Sequence, residues 1–131
     1  MTTVIILFIV LNFCHFLADY TPLSTKEMLA AKRFGKPIAP IFIHALTHTA
    51  LMGVAILIFT NYGTQHSISG GIVLLIQAIS HTVIDILKGR FAKWIPITAD
   101  NTQKWYWMVM GFDQLSHQTI IALMIYILLK Y

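Results

Sequence analysis

The sequence predicts an all-α, polytopic membrane protein: a bundle of four transmembrane helices forming a single integral domain over residues 1–131. Three observations predict it. Hydrophobic residues make up 57% of the chain and charged residues 11%, against roughly 45–50% and about 25% in soluble domains. The mean hydropathy is +0.74. The apolar residues gather in four runs, each near the roughly 20 residues a helix needs to cross a bilayer. So few charges would leave a soluble fold with large apolar patches in water, and so much apolar content excludes a disordered chain. The single cysteine, Cys14, rules out an internal disulfide and reads as apolar filler on its helix.

The first run covers residues 3–20. It lacks a basic leading region and a small-x-small cleavage site, so it reads as a retained helix rather than a signal peptide; Pro22 stops it. The second covers about 37–60, with Pro37 and Pro40 placed for a first turn, where a missing N–H does no harm. The third covers about 69–88, with Gly89 placed to end it. The fourth covers about 102–129; Asp100 and Gln103 have capping-box spacing, and Trp105, Tyr106 and Trp107 fit an interfacial aromatic belt. Gly53, Gly70 and Gly71 suit helix entry or close packing.

Charge sets the orientation. Of the nine Lys and Arg, eight fall in residues 21–36 and 88–104, which lie on one face of the membrane, whereas the connection 61–68 has no formal charge. The positive-inside rule assigns the basic face to the cytoplasm and both termini to the outside, as expected in a bacterial inner membrane. The net charge of +4 therefore points to anionic lipids of the bilayer, not to nucleic acid. Ser24–Phe34 reads either as an ordinary basic loop or as a short amphipathic helix. In the helix, Met28, Leu29, Ala31 and Phe34 would face lipid, with Lys26, Lys32 and Arg33 toward headgroups.

Ionisable residues inside spans are costly and point to function. Here each span carries one pair at spacing four: His15/Asp19, His44/His48, His81/Asp85 and Asp113/His117. That spacing puts both members on one helix face. Random placement of the six His and five acids would yield about one such pair. All four pairs fall within one or two turns of the same depth in the cytoplasmic leaflet, where a bundle would bring them together.

Imidazoles and carboxylates converging without thiolates are the donor set of a divalent metal such as Zn, Mn or Fe. Eight donors exceed the four of one zinc. They suit two ions, as in di-metal carboxylate bundles, or one ion with the remaining groups orienting its ligands. His44 and His48 form a two-point clamp of the kind zinc-like ions use. Asp19 is a candidate ligand or catalytic base. Asn12, Gln77 and Gln114 lie near the pairs and are candidates for orienting ligands or touching substrate, as are Thr47 and Ser116; helix packing is the competing reading for each. Lys88, three residues after Asp85, is read as reaching an anionic headgroup or snorkelling at a span end.

The residues His15-Phe16-Leu17-Ala18-Asp19-Tyr20, Met28 and Lys32, His44-Ala45-Leu46-Thr47-His48, His81-Thr82-Val83-Ile84-Asp85 with Lys88, and Asp113-Gln114-Leu115-Ser116-His117 resemble the small bacterial inner-membrane family catalogued as domain of unknown function 3307. The resemblance covers nearly the whole chain. It implies a four-helix membrane protein with a motif-lined site and no particular activity. Where members often carry a Gln soon after the Asp-Tyr, this chain has Leu23-Ser24-Thr25. Through its HxxxH motif the chain is also loosely similar to membrane-bound metal-dependent hydrolases.

The expected function is a membrane-embedded metal-dependent enzyme with one or two divalent ions, a hydrolase of a lipid or other amphiphile at the cytoplasmic side. Its nucleophile would be a water made more acidic by the cation. The alternatives are an ion or metal transporter or proton relay, a di-iron oxidoreductase, and an accessory membrane subunit whose polar pairs only hold the bundle together. Transport through four helices would call for a homo-oligomer.

Overall fold

The computed structural model describes residues 2–59 and 67–131. Its elements are α1 (Thr2–Tyr20), α2 (Lys26–Phe34), α3 (Ile38–Phe59), α4 (Ser67–Trp94), a 3₁₀ turn (Pro96–Ala99) and α5 (Lys104–Lys130). The helices α1, α3, α4 and α5 are long and apolar enough to cross a membrane, so the chain has the four spans its composition requires. The part of the uncharged connection before Ser67, with His66, lies outside the described residues.

The four spans form a ring: α1 packs on α3 and α5, and α4 on α3 and α5. Their outward faces are apolar; Ile9, Leu57, Leu75 and Phe112 are all more than 60% exposed, a surface suited to lipid. Inward, each helix presents a stripe at spacing four. On α1 it reads Leu7, Leu11, His15, Asp19, and on α4 Val73, Gln77, His81, Asp85. On α5, Asp113 and His117 lead to Ile121 and Ile125, and on α3, His44 and His48 lead to Met52 and Ile56. The stripes change from apolar to ionisable at one level in all four helices. Away from the basic loops, the bundle is filled by a cluster that includes Leu7, Leu11, Met52, Ile56, Val73, Ile121 and Met124. Cys14 belongs to this cluster, as its reading as filler requires. Gly53 lets α3 approach α4: a Cβ there would meet Leu74 at 3.3 Å. At Gly71 a Cβ would meet nothing within 4 Å, so close packing does not explain that glycine.

At the basic end, Ser24–Phe34 does contain a helix. Thr25 caps α2 by accepting from the Met28 N–H at 3.3 Å, and Gly35 ends it in the left-handed region at φ 65°. The helix packs on α3 and α4, with Ala31 and Lys32 buried and Leu29 and Phe34 exposed. Three sequence expectations are corrected here. Gly89 does not end α4, which runs on to Trp94. Instead a Cβ at Gly89 would meet the Lys32 carbonyl at 2.5 Å and the Gly35 Cα at 2.7 Å, so the missing side chain lets α2 lie directly on α4. Asp100 does not cap α5: it accepts from Thr102 N at 2.9 Å and Thr102 Oγ1 at 2.7 Å, closing a local turn, and Gln103 precedes the helix without a side-chain cap bond. Pro37 stands one residue before α3, while Pro40 lies in its first turn. The aromatic group opens α5 as expected, with Trp105 and Trp107 exposed.

Candidate functional site

All eight paired residues meet in one layer at the basic end of the bundle. The reason is local: spacing four keeps each pair on the inward face, and the ring of helices points all four inward faces at one axis. The imidazoles crowd together at tilted angles, with ring centroids 3.9 Å apart for His48–His81, 4.3 Å for His81–His117, 4.6 Å for His15–His48 and 4.8 Å for His15–His117. Within the pairs, His15 Nε2 lies 3.3 Å from Asp19 Oδ2, His81 Nε2 3.4 Å from Asp85 Oδ2, and His117 Nε2 3.6 Å from Asp113 Oδ1. On α3, the Nε2 atoms of His44 and His48 are 3.1 Å apart.

Three sets of donor atoms lie close enough to share an ion: Asp19, His44, His48 and His81; His15, His81 and His117; and Asp85, Asp113 and His117. Within each set the atoms fall within 4.8 Å of one another. Donors on a tetrahedral ion with bonds of about 2.1 Å are about 3.4 Å apart, so the layer is close to that spacing before any adjustment. It is also short of hydrogen bonds. Among the described residues, every buried side-chain atom without a hydrogen-bond partner belongs here: both ring nitrogens of His15, His48 Nδ1, His81 Nε2, both Asp85 oxygens, Asp113 Oδ1 and His117 Nε2. Several sit within ion-pair distance of a neighbour but lack the alignment of a hydrogen bond. Buried polar atoms are ordinarily satisfied, so this concentration of atoms without hydrogen bonds makes the layer a candidate metal site.

Two residues of the site were not foreseen in these roles. Lys32 was expected at the headgroups with Lys26 and Arg33. It is instead buried and turned inward, its Nζ 2.6 Å from Asp19 Oδ1, 3.0 Å from His44 Nε2 and 3.5 Å from Asp85 Oδ2. Burial works against its charge, but the Asp85 and Asp19 carboxylates outweigh burial and hold its pKa above the ordinary lysine value. The available signal was its position four residues after Met28, about 100° around α2 from Arg33. Ser24 is the second. Its hydroxyl donates to the Ala18 carbonyl at 2.7 Å, so its oxygen accepts from His44 Nδ1 at 3.2 Å. That bond places the His44 proton on Nδ1 and aims the Nε2 lone pair at the layer.

The remaining candidates divide. Gln77 Nε2 is 3.4 Å from His81 Nδ1, and Gln114 Nε2 is 3.4 Å from Asp113 Oδ2, so both adjoin the layer. Lys88 is bonded neither to Asp85 nor held out at a headgroup: its Nζ donates to Asp113 Oδ2 at 2.7 Å. Asn12 turns back to the Phe8 carbonyl at 2.8 Å, Thr47 to Ile43 at 3.1 Å and Ser116 to Phe112 at 2.8 Å. These three are ordinary helix back-bonds, and none serves the layer.

Above the layer lies a cleft of about 540 Å³, walled by α2, the last turns of α4, the 3₁₀ turn and the start of α5. Asp19, Lys32, Lys88 and Asp113 line it, and no histidine does. Two lysine–carboxylate pairs therefore stand between the cleft and the imidazoles.

The family described as "Protein of unknown function (DUF3307)" matches residues 6–131. The chain belongs to that family. All eight paired residues, together with Ser24, Lys32 and Lys88, fall inside the matched span of this DUF3307 chain. No curated protein and no solved structure matches it.

Proposed function

We propose that this DUF3307 protein is a membrane-embedded, metal-dependent hydrolase of the bacterial inner membrane. Its basic loops face the cytoplasm, and it acts on a lipid or another amphiphile that enters the cleft. The observation that carries the reading is the set of unpaired buried imidazole and carboxylate atoms converging from four helices. A divalent cation satisfies such atoms and can make a bound water acidic enough to attack an ester or phosphoester. The cleft volume falls within the roughly 300–1,000 Å³ of small-molecule sites. Asp19 and Asp113 alone of the eight reach both cleft and layer. Asp19 Oδ1 is taken by Lys32, and Oδ2, 3.3 Å from His15 Nε2, is the oxygen that accepts a substrate proton in this reading. The apolar cluster closes the far half of the bundle, which argues against a transport path.

One observation favours a second reading. The Lys32 ammonium already neutralises part of the layer, as it would in an accessory subunit held together by buried ion pairs. Elemental analysis separates the two. Protein purified gently without chelator carries stoichiometric metal if the first reading is right, and His81→Ala, which removes a donor common to two of the three sets, loses it. Parent protein incubated with phospholipid vesicles then releases a soluble product, and chelator abolishes the release. Metal-free parent protein ends the enzyme reading and leaves the structural one.

A further inference from the structure

The layer is not symmetric about its centre. On the side of α2, Lys32 Nζ bonds Asp19 Oδ1 at 2.6 Å and His44 Nε2 at 3.0 Å, and Ser24 holds His44 Nδ1. Neither Asp19 nor His44 has a buried atom left without a partner. Toward α5 the opposite holds. The donor atoms of His15, His81 and His117 lie within 4.8 Å of one another. Asp85 bridges two of them, with Oδ2 3.4 Å from His81 Nε2 and Oδ1 3.8 Å from His117 Nε2. Every one of those nitrogens and oxygens is buried and without a hydrogen bond, although Lys32 Nζ stands 3.5 Å from Asp85 Oδ2 and Asp19 Oδ2 stands 3.3 Å from His15 Nε2. Lys88 does not reach them, being spent on Asp113 Oδ2.

We infer that the layer holds one divalent ion rather than two, bound by His15, His81, His117 and Asp85, with the Lys32 ammonium standing permanently in the second cation position beside Asp19 and His44. This rests on the metal reading proposed above and deepens it. Three imidazole nitrogens and one carboxylate oxygen are a four-donor set suited to a zinc-like ion. A second ion on Asp19, His44 and His48 would need the lone pairs that Lys32 already occupies. Lys32 is thus a positioning residue: it fixes Asp19 and His44 and stands between the ion and the cleft.

The test is a metal count on the full chain in detergent or lipid nanodiscs. Protein is stripped of metal, dialysed against excess zinc chloride, washed and analysed for zinc per chain. The parent binds one zinc. Lys32→Met frees Asp19 and His44 and binds two, whereas Lys32→Arg keeps the cation in place and binds one. In the parent background, His81→Ala binds none and His48→Ala still binds one. Helix content and a single elution peak are checked for each variant, and Lys32→Arg and His48→Ala keep the count decisive if Lys32→Met does not fold. Two zincs in the parent, a loss of zinc in His48→Ala, or two zincs in Lys32→Arg overturns the single-ion assignment while leaving the metal reading standing. No zinc in the parent or in Lys32→Met ends both.

Discussion

The two halves of this bundle are built from the same four helices and held by different physics. In one half, Leu7, Leu11, Met52, Ile121 and Met124 fill the axis by shape. In the other, five imidazoles, three carboxylates and an inserted ammonium fill it by charge. Lipid is as apolar as leucine, so the first half gains only packing from association. The second half cannot face lipid at all without exposing buried charge, so it needs its neighbours. The polar layer is therefore what obliges the helices to associate, and the apolar half is what lets them do so closely.

Breaking the polar half should have the largest effect. Asp85 is fully buried and lies near Lys32, His81 and His117. Asp85→Ala leaves those groups without their shared counter-charge and costs about 3–5 kcal/mol; on the metal reading proposed above it also abolishes zinc binding. Denaturation in mixed detergent micelles, with a zinc count alongside, checks both. An Asp85→Ala protein as stable as the parent would mean that the layer does not hold the bundle.

Breaking the apolar half should cost less. Leu11 is fully buried. In water its truncation would lose transfer energy as well as packing, but in a bilayer only the cavity remains, so Leu11→Ala should cost about 2 kcal/mol. The zinc count should not change. Loss of zinc in this variant would show that the two halves are one cooperative unit, and the contrast between them would fall. The smallest effect belongs to the outside. Phe112 is 65% exposed on the lipid face, one residue from Asp113, and Phe112→Ala should change stability by no more than about 0.5 kcal/mol. A larger loss would reveal a protein partner on that face.

The contrast also explains which features could be read from the chain before its structure. The spans and all eight members of the layer follow from local rules: run length, and spacing of four on one face. Lys32 does not, because its direction depends on how a short polar segment docks on two helices distant in sequence. Counting charge offers a partial clue, since three buried carboxylates need cations, but not which of eight basic loop residues supplies them. Gly89 shows a related ambiguity. A glycine near a span end serves equally as a terminator or as a point of close approach, and only the path of α2 decides between them. Asp100 and Gln103 have the spacing of a cap, yet Thr102 lies nearer to the carboxylate and takes it.

The two lysine–carboxylate pairs have opposite senses along the chain. Asp19 precedes its ammonium by 13 residues, whereas Lys88 precedes its carboxylate by 25. A ribosome therefore delivers the first pair acid first and the second pair base first. When α1 enters the bilayer, Asp19 has no counter-ion until α2 emerges behind it. When α5 enters, Lys88 is already waiting at the surface. The early helix is thus the costly one to insert, and the late helix arrives at a prepared place.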